Sequence, residues 1–217
     1  MLNDHTVSYV HHTTNGDELI TYMARVSNPD NQFNTKTSDK LIEYLIKHQH
    51  WSPFEMVSMC LEISTTRSIA AQILRHRSFS FQEFSQRYSP VDLLGEPLQP
   101  EFRLQDTKNR QNSIEGTIAG EPWYRKEIDD LYKASLGLYN KLLDHGVAKE
   151  CARDVLPLSS PSRLYMHGNV RSWIHYIQLR EANGTQKEHQ QIALRCKEQL
   201  RERFPQVYKA VWGGWLK

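Results

Sequence analysis

Met56-Val57-Ser58-Met59-Cys60-Leu61-Glu62-Ile63-Ser64 alternates in character: Val57, Met59, Leu61 and Ile63 are apolar, while Ser58, Cys60, Glu62 and Ser64 are polar or small. A period of two belongs to a strand, so this stretch is expected to be a strand with one buried face. The period then changes. Thr65 or Thr66 can cap a helix through Ser68-Ile69-Ala70-Ala71-Gln72-Ile73-Leu74, and that helix runs directly into Arg75-His76-Arg77.

Upstream, residues 1–35 mix short apolar pieces with turn formers and read as a strand, a short helix and a loop, with a turn at Asn28-Pro29-Asp30-Asn31. A helix is expected at about 38–48, capped by Ser38, because Leu41, Ile42, Leu45 and Ile46 make one apolar stripe. His50-Trp51-Ser52-Pro53-Phe54-Glu55 breaks that period and reads as a loop. Downstream, residues 78–89 read as a loop and then an extended segment. Residues 90–123, rich in proline, glycine and polar side chains, read as a surface excursion or mobile loop. The second half reads as helical. Ile128, Leu131, Tyr132, Leu138, Tyr139 and Leu142 keep a three-to-four spacing that ends at Gly146. A short helix at about 147–156 stops before Pro157, Asn169 can cap a helix through Arg180, and Thr185-Gln186-Lys187-Glu188 has the form of a capping box for a last helix to about 203, closed by Pro205. One α+β domain over residues 1–217 is the simplest organisation.

Of the 217 residues, 39% are hydrophobic and 24% charged, a globular composition. No apolar run approaches the roughly 20 residues that span a bilayer, so no membrane partner is expected. Met1-Leu2-Asn3-Asp4-His5 shows no basic run followed by an apolar one, so no secretory signal is expected. The three cysteines, Cys60, Cys151 and Cys196, are widely spaced without a C-x-x-C, which argues against a disulfide framework or thiolate zinc site and for a reducing cytoplasm. His48 and His50 form an H-x-H pair with no third ligand at a usual spacing, and no metal is expected. The net charge of +2 predicts no polyanion partner. Basic residues interleaved with Phe79, Phe81, Phe84 and Tyr88 could stack bases, but without a wide basic face no nucleic acid is expected.

The densest cluster of chemistry is Arg75-His76-Arg77-Ser78-Phe79-Ser80-Phe81-Gln82-Glu83-Phe84-Ser85-Gln86-Arg87-Tyr88. In an extended run Glu83, Ser85 and Arg87 point to one side, where a carboxylate, a hydroxyl and a guanidinium could grip a polar, phosphorylated ligand. The same residues would equally suit a solvated helix end followed by a polar edge strand. The spacing R-H-R-x-x-S-x-x-x-x-S-x-R, filled here by Arg75, His76, Arg77, Ser80, Ser85 and Arg87, resembles the signature of the flavin-dependent thymidylate synthases. One departure is Gln82, where that family usually carries Asn before the Glu.

Three further blocks extend the resemblance over roughly residues 35–205. His50-Trp51-Ser52-Pro53-Phe54-Glu55 is similar to the family's H-x-[ST]-P-x-E loop, Ala152-Arg153-Asp154-Val155-Leu156-Pro157 to its A-R-x-x-L-P, and Asn169-Val170-Arg171-Ser172-Trp173-Ile174-His175-Tyr176-Ile177-Gln178-Leu179-Arg180 to its N-x-R-S-x-x-[HN]-[FY]-x-x-L-R. In the last block Arg171, His175 and Gln178 share one helical face, while Trp173, Ile174 and Ile177 lie toward the other and are expected to pack.

The resemblance implies an antiparallel sheet packed with long helices, and methylation of dUMP to dTMP with methylenetetrahydrofolate as carbon donor and FAD, reduced by NADPH, as hydride carrier. It implies that Gln72, Arg75, Glu83, Ser85, Gln86, Arg87, Arg153 and Arg180 hold dUMP, with Arg180 also acting as the catalytic cation at N3 and O2 of the uracil. It implies FAD contacts from His50, Ser52, Arg75, His76, Arg77, Gln82, Glu83, Asn169, Arg171 and His175. A homotetramer with sites shared between subunits is implied as well. Ser85 as a nucleophile would need an adjacent base, and nothing in the sequence brings His76 to it.

Overall fold

A computed structural model describes residues 5–213; the N-terminal reading of Met1-Leu2-Asn3-Asp4 lies outside them. The alternating segment is β2 (Ser58–Thr66), and it is central in a four-stranded antiparallel sheet. On one side it pairs with β1 (Thr6–His12), with a register irregularity between Tyr9 and His11. On the other it pairs along its whole length with β6 (Pro161–Asn169), from Ser58↔Asn169 to Thr66↔Pro161. The opposite edge of β6 takes β3 (Ser80–Glu83), giving the order β1-β2-β6-β3. The expected α+β class with an antiparallel sheet is what forms.

β6 is the correction. The second half was expected to be helical, yet Ser162, Leu164, Met166 and Gly168 alternate into the core on a strand. Its alternation is masked by Pro161 at the start and Gly168 near the end. Gly168 is needed because a Cβ there would lie 2.4 Å from the Phe79 ring. β2 also differs in degree: Val57, Met59, Leu61 and Ile63 are fully buried as expected, but Cys60, Ser64, Thr65 and Thr66 are buried too, since neighbouring strands flank it on both sides.

Helices cover one face of the sheet. α1 (Gly16–Ala24) packs against α2 (Ser38–Lys47). Ser38 is the first residue of α2 and not its cap: it is buried and its hydroxyl bonds the Thr21 hydroxyl at 3.1 Å. α3 (Arg67–Ile73) follows β2 directly and is capped by Thr66, whose hydroxyl accepts from Ile69 N at 3.4 Å. α4 (Glu121–Asp144) is the long amphipathic helix, and Gly146, at φ 80°, closes it as the left-handed residue past its end. α5 (Lys149–Ala152) runs into a short 3-10 turn at Arg153–Val155 before Pro157.

α6 (Val170–Arg180) begins as expected at Asn169, whose side-chain oxygen accepts from Ser172 N at 2.9 Å. Its Trp173, Ile174 and Ile177 are fully buried, and Trp173 Nε1 donates to Met59 O at 3.0 Å, fastening α6 to β2. α7 (Lys187–Arg203) starts without the expected capping box: Gln186 is the cap residue and makes no side-chain cap bond, because its amide is engaged elsewhere. α7 is not the last helix; α8 (Pro205–Trp212) starts at the proline expected to end it, and buried Asp17 accepts from Gln206 N at 2.8 Å and Val207 N at 3.3 Å at its start.

The excursion over residues 90–123 carries a small hairpin, β4 (Leu104–Gln105) with β5 (Ser113–Ile114). It is tied to the body at two points. Val91 is buried beside Tyr139 and Ala152, and Arg103 forms an ion pair with Glu188 of α7 at 2.8 Å. Among the described residues no helix is long and apolar enough to cross a membrane.

Candidate active site

The turn after α3 is built from the inside out. Ile69, Ala70 and Ile73 face the core, and the helix ends as His76 N bonds Ile73 O at 3.0 Å. Phe79, the next apolar residue, is driven under the sheet edge, with its ring 4.8 Å from Trp173 and 5.8 Å from Tyr176. That anchor fixes His76 edge-on to Tyr176 at 4.8 Å. It also removes Phe79 from the side chains that could stack a base.

Arg180, at the end of α6, donates from Nε to His76 Nε2 at 2.9 Å. A guanidinium only donates, so Nε2 is the bare nitrogen and the neutral ring carries its proton on Nδ1. Burial, and then the charge of Arg180, hold the His76 pKa down to about 4. His76 Nε2 is therefore occupied and is no base for Ser85. Behind this pair, Tyr176 shares a 3.2 Å bond with His189 Nε2, His189 Nδ1 faces Gln72 Oε1 at 3.3 Å, and Gln72 Nε2 donates to Gln186 Oε1 at 2.7 Å. The structure thus brings Gln72, His76 and Arg180 into one group.

A second group forms where the loop at Ser52–Glu55, a 3-10 turn, meets the start of α6. Arg171 is ion-paired with Glu55, and Trp51 lies edge-on to His175 at 4.8 Å. The His175 pKa is lowered by burial and then by Arg171. His50 and Ser52 are exposed beside them, and Asn169 caps α6 through Oδ1 alone, which leaves its Nδ2 donor outside the cap. His48 and His50 sit with ring centroids 6.1 Å apart.

The third group holds the rest of the signature. Glu83, at the end of β3, accepts from Ser162 Oγ at 2.7 Å. The chain then turns, with Tyr88 N and Ser89 N both bonding Ser85 O at 3.0 Å. This corrects the expectation that Glu83, Ser85 and Arg87 share one extended face: the strand stops at Glu83. Arg87 instead pairs with Glu150 at 2.9 Å, one helical turn before half-buried Arg153. Gln86 is buried, with Nε2 lacking a hydrogen-bond partner. Gln82 is exposed on β3, and Arg75 and Arg77 are exposed at the end of α3.

The donor set suits a dinucleotide carrying a planar ring system. Arg77 and Arg171 offer guanidinium groups for phosphate, Ser52 a hydroxyl, and Trp51 and His175 flat surfaces. A flavin dinucleotide fits that chemistry. The three groups hang on the ends of different elements, α3 and α6, the Ser52–Glu55 turn, and the segment from β3 to α5. Tyr176, His189 and Gln186 carry no site role in the sequence reading. The signal was there: His189 falls on the same helical stripe as Ile192, Ala193, Cys196 and Leu200, all fully buried, where a polar ring needs partners.

Comparison with known proteins places the whole chain among its relatives. Residues 8–206 match the family model described as thymidylate synthase complementing protein. The chain is 54% identical over 196 residues to a probable flavin-dependent thymidylate synthase of Paramecium bursaria Chlorella virus 1, covering 90% of each. It is 50% identical over 194 residues to the flavin-dependent thymidylate synthase of Synechocystis sp., covering 89% of this chain and 88% of the relative. Among solved structures, it is similar to the UMP/dUMP methylase PolB from Streptomyces cacaoi bound with 5-Br dUMP, with TM-score 0.85 and 27% identity over 95% of this chain and 94% of that one. By sequence, fold and the placement of its signature, the chain belongs to the thymidylate synthase complementing protein family, the flavin-dependent thymidylate synthases.

Proposed function

We propose that this chain, acting as one domain within a homotetramer in a reducing cytoplasm, converts dUMP to dTMP with methylenetetrahydrofolate as carbon donor and NADPH as reductant of FAD. The observation that carries this reading is the His76–Arg180 pair at 2.9 Å. It holds a permanent cation at the joint of the two motifs with a neutral imidazole behind it. Uracil C5 becomes nucleophilic only when the ring is polarised or loses its N3 proton. A fixed guanidinium at N3 and O2 stabilises that charge without reorganising when it appears.

Arg75, Arg87 and Arg153 are the cations for the nucleotide phosphate, with Gln72, Glu83, Ser85 and Gln86 as hydrogen-bonding partners. The buried, unpartnered Nε2 of Gln86 supports a polar ligand there. His50, Ser52, Arg75, His76, Arg77, Gln82, Glu83, Asn169, Arg171 and His175 are the residues for FAD, which when bound supplies the hydride-transfer chemistry. Arg171, paired with Glu55, would supply a cation for the cofactor's phosphate, and Trp51 with His175 would supply apolar surface beside it. Because Arg87 and Arg180 hang on different elements, completion of each site by a neighbouring subunit fits the separation of the motifs.

The test is spectroscopic. Purified protein carries, or takes up, FAD and is yellow, and it oxidises NADPH in a manner that depends on FAD and responds to dUMP. Protein that stays colourless after incubation with FAD contradicts the reading.

A further inference from the structure

Both ends of the Gln72 amide are clamped. Nε2 is committed to the carbonyl oxygen of Gln186 at 2.7 Å, so the atom facing His189 Nδ1 at 3.3 Å is the Gln72 carbonyl oxygen. Nδ1 therefore carries the His189 proton. His189 is fully buried and neutral, its pKa pushed down to about 3 by burial and then by Arg180 and His76. Its bare Nε2 accepts the Tyr176 hydroxyl proton at 3.2 Å. At the other end, Gln186 Nε2 donates to Glu188 Oε2 at 2.9 Å, and Glu188 is held by Arg103 at 2.8 Å. Donors and acceptors alternate without conflict from Tyr176, beside His76, to Arg103 at the hairpin.

We propose that His189, with Gln186, is a positioning residue that fixes the rotamer and the flip of the Gln72 amide for nucleotide binding. The proposal rests on the reading of Gln72 as a ligand of dUMP. An amide has two N–H donors and two acceptor lone pairs. His189 and Gln186 take one of each. One donor and one acceptor remain, on a group that no longer rotates, in place for the polar atoms of the nucleotide. A free glutamine would give up its rotamer freedom on binding and would choose between two flips; a clamped one has done both in advance. Packing alone does not call for a histidine here, since an apolar residue would continue the stripe of Ile192, Ala193, Cys196 and Leu200 without needing two hydrogen-bond partners.

The test measures the dUMP Kd of the FAD-loaded, full-length protein by calorimetry, with flavin content read from its absorbance. His189→Phe should raise the Kd about tenfold, the worth of one ordered hydrogen bond. His189→Asn, whose side-chain N–H can stand in for Nδ1–H, should stay within about twofold of wild type, and exposed Gln186→Ala should rise about threefold. Flavin content should not change. In a Gln72→Ala background the effects of His189→Phe and Gln186→Ala should vanish, which a merely structural role would not produce. Should His189→Phe fail to fold, Gln186→Ala with and without Gln72→Ala decides the question. Losses that persist in the Gln72→Ala background, or an unchanged Kd in Gln186→Ala and folded His189→Phe, overturn this proposal alone. A wild-type protein that does not bind dUMP overturns the nucleotide reading and this proposal with it.

Discussion

Arg180 Nε and His76 Nε2 are joined at 2.9 Å, linking the last residue of α6 to the turn after α3 across 104 positions of sequence. The contact pins the guanidinium by one N–H and leaves its other donors for a ligand. It also couples the charge of Arg180 to the protonation of His76.

Removing that charge should be visible on the imidazole. Arg180→Ala is expected to raise the His76 pKa from about 4 but leave it below the ordinary 6.5, because burial is the larger cause. An NMR titration of the imidazole carbons reports it. No movement would mean that Arg180 does not act on His76 electrostatically.

The buried imidazoles also predict how stability responds to acid. His76 and His189 have pKa values lowered to about 4 and about 3. The unfolded chain therefore takes up their protons first. Their contribution is fully present above pH 6.5 and is lost as pH falls toward the folded values, with a slope of at most about 1.4 kcal/mol per pH unit for each group. His189, fully buried, carries more of it than His76, which solvent partly screens. Urea unfolding at pH 7, 6 and 5 should show His189→Asn losing less stability than wild type over that range. Parallel curves would remove His189 from the effect.

Arg171 should separate cofactor binding from folding. Its ion pair with Glu55 is exposed, with side chains 41% and 36% accessible, so Arg171→Met should cost less than about 1 kcal/mol of stability. FAD affinity, measured by fluorescence quenching, should fall about tenfold, as expected for one lost charge-assisted phosphate contact. Unchanged flavin affinity would take Arg171 out of the cofactor site.

Two other arginines should behave in opposite ways. Arg103 and Glu188 are 11% and 16% accessible, so Arg103→Met leaves a largely sequestered carboxylate short of its cation and should cost about 2 kcal/mol in urea unfolding. Arg87 and Glu150 are 66% and 52% accessible, so Arg87→Met should cost less than about 1 kcal/mol while dUMP binding falls. Equal stability losses in the two variants would contradict this contrast between a part-buried and an exposed pair.

Local rules made much of the fold readable. The alternation of Val57, Met59, Leu61 and Ile63, the Thr66 and Asn169 caps, and Gly146 past α4 act within a few residues of themselves, and each behaves in the structure as its chemistry dictates. β6 was not readable because its pattern is broken by Pro161 and Gly168, and Gly168 is explained only by the Phe79 ring that lies far away in sequence. The capping box expected from Thr185 to Glu188 does not form because the Thr185 hydroxyl donates to Leu179 O and Glu188 is drawn to Arg103 and Gln186, partners set by tertiary packing. Within the site, the motifs identified the residue types, but not the turn at Ser85 that takes Arg87 away from Glu83 to Glu150. His189 was overlooked because a lone histidine on an apolar stripe reads as core until Tyr176 and Gln72 are placed on either side of it.

The most direct test is product formation by the full-length protein with FAD, NADPH, methylenetetrahydrofolate and dUMP, followed by chromatography of the nucleotides. FAD-loaded wild type should form dTMP only when NADPH, methylenetetrahydrofolate and dUMP are all supplied, and Arg180→Ala that still holds its flavin should form none. Wild-type protein loaded with FAD that leaves dUMP unmethylated, or Arg180→Ala that turns over at the wild-type rate, would contradict this expectation.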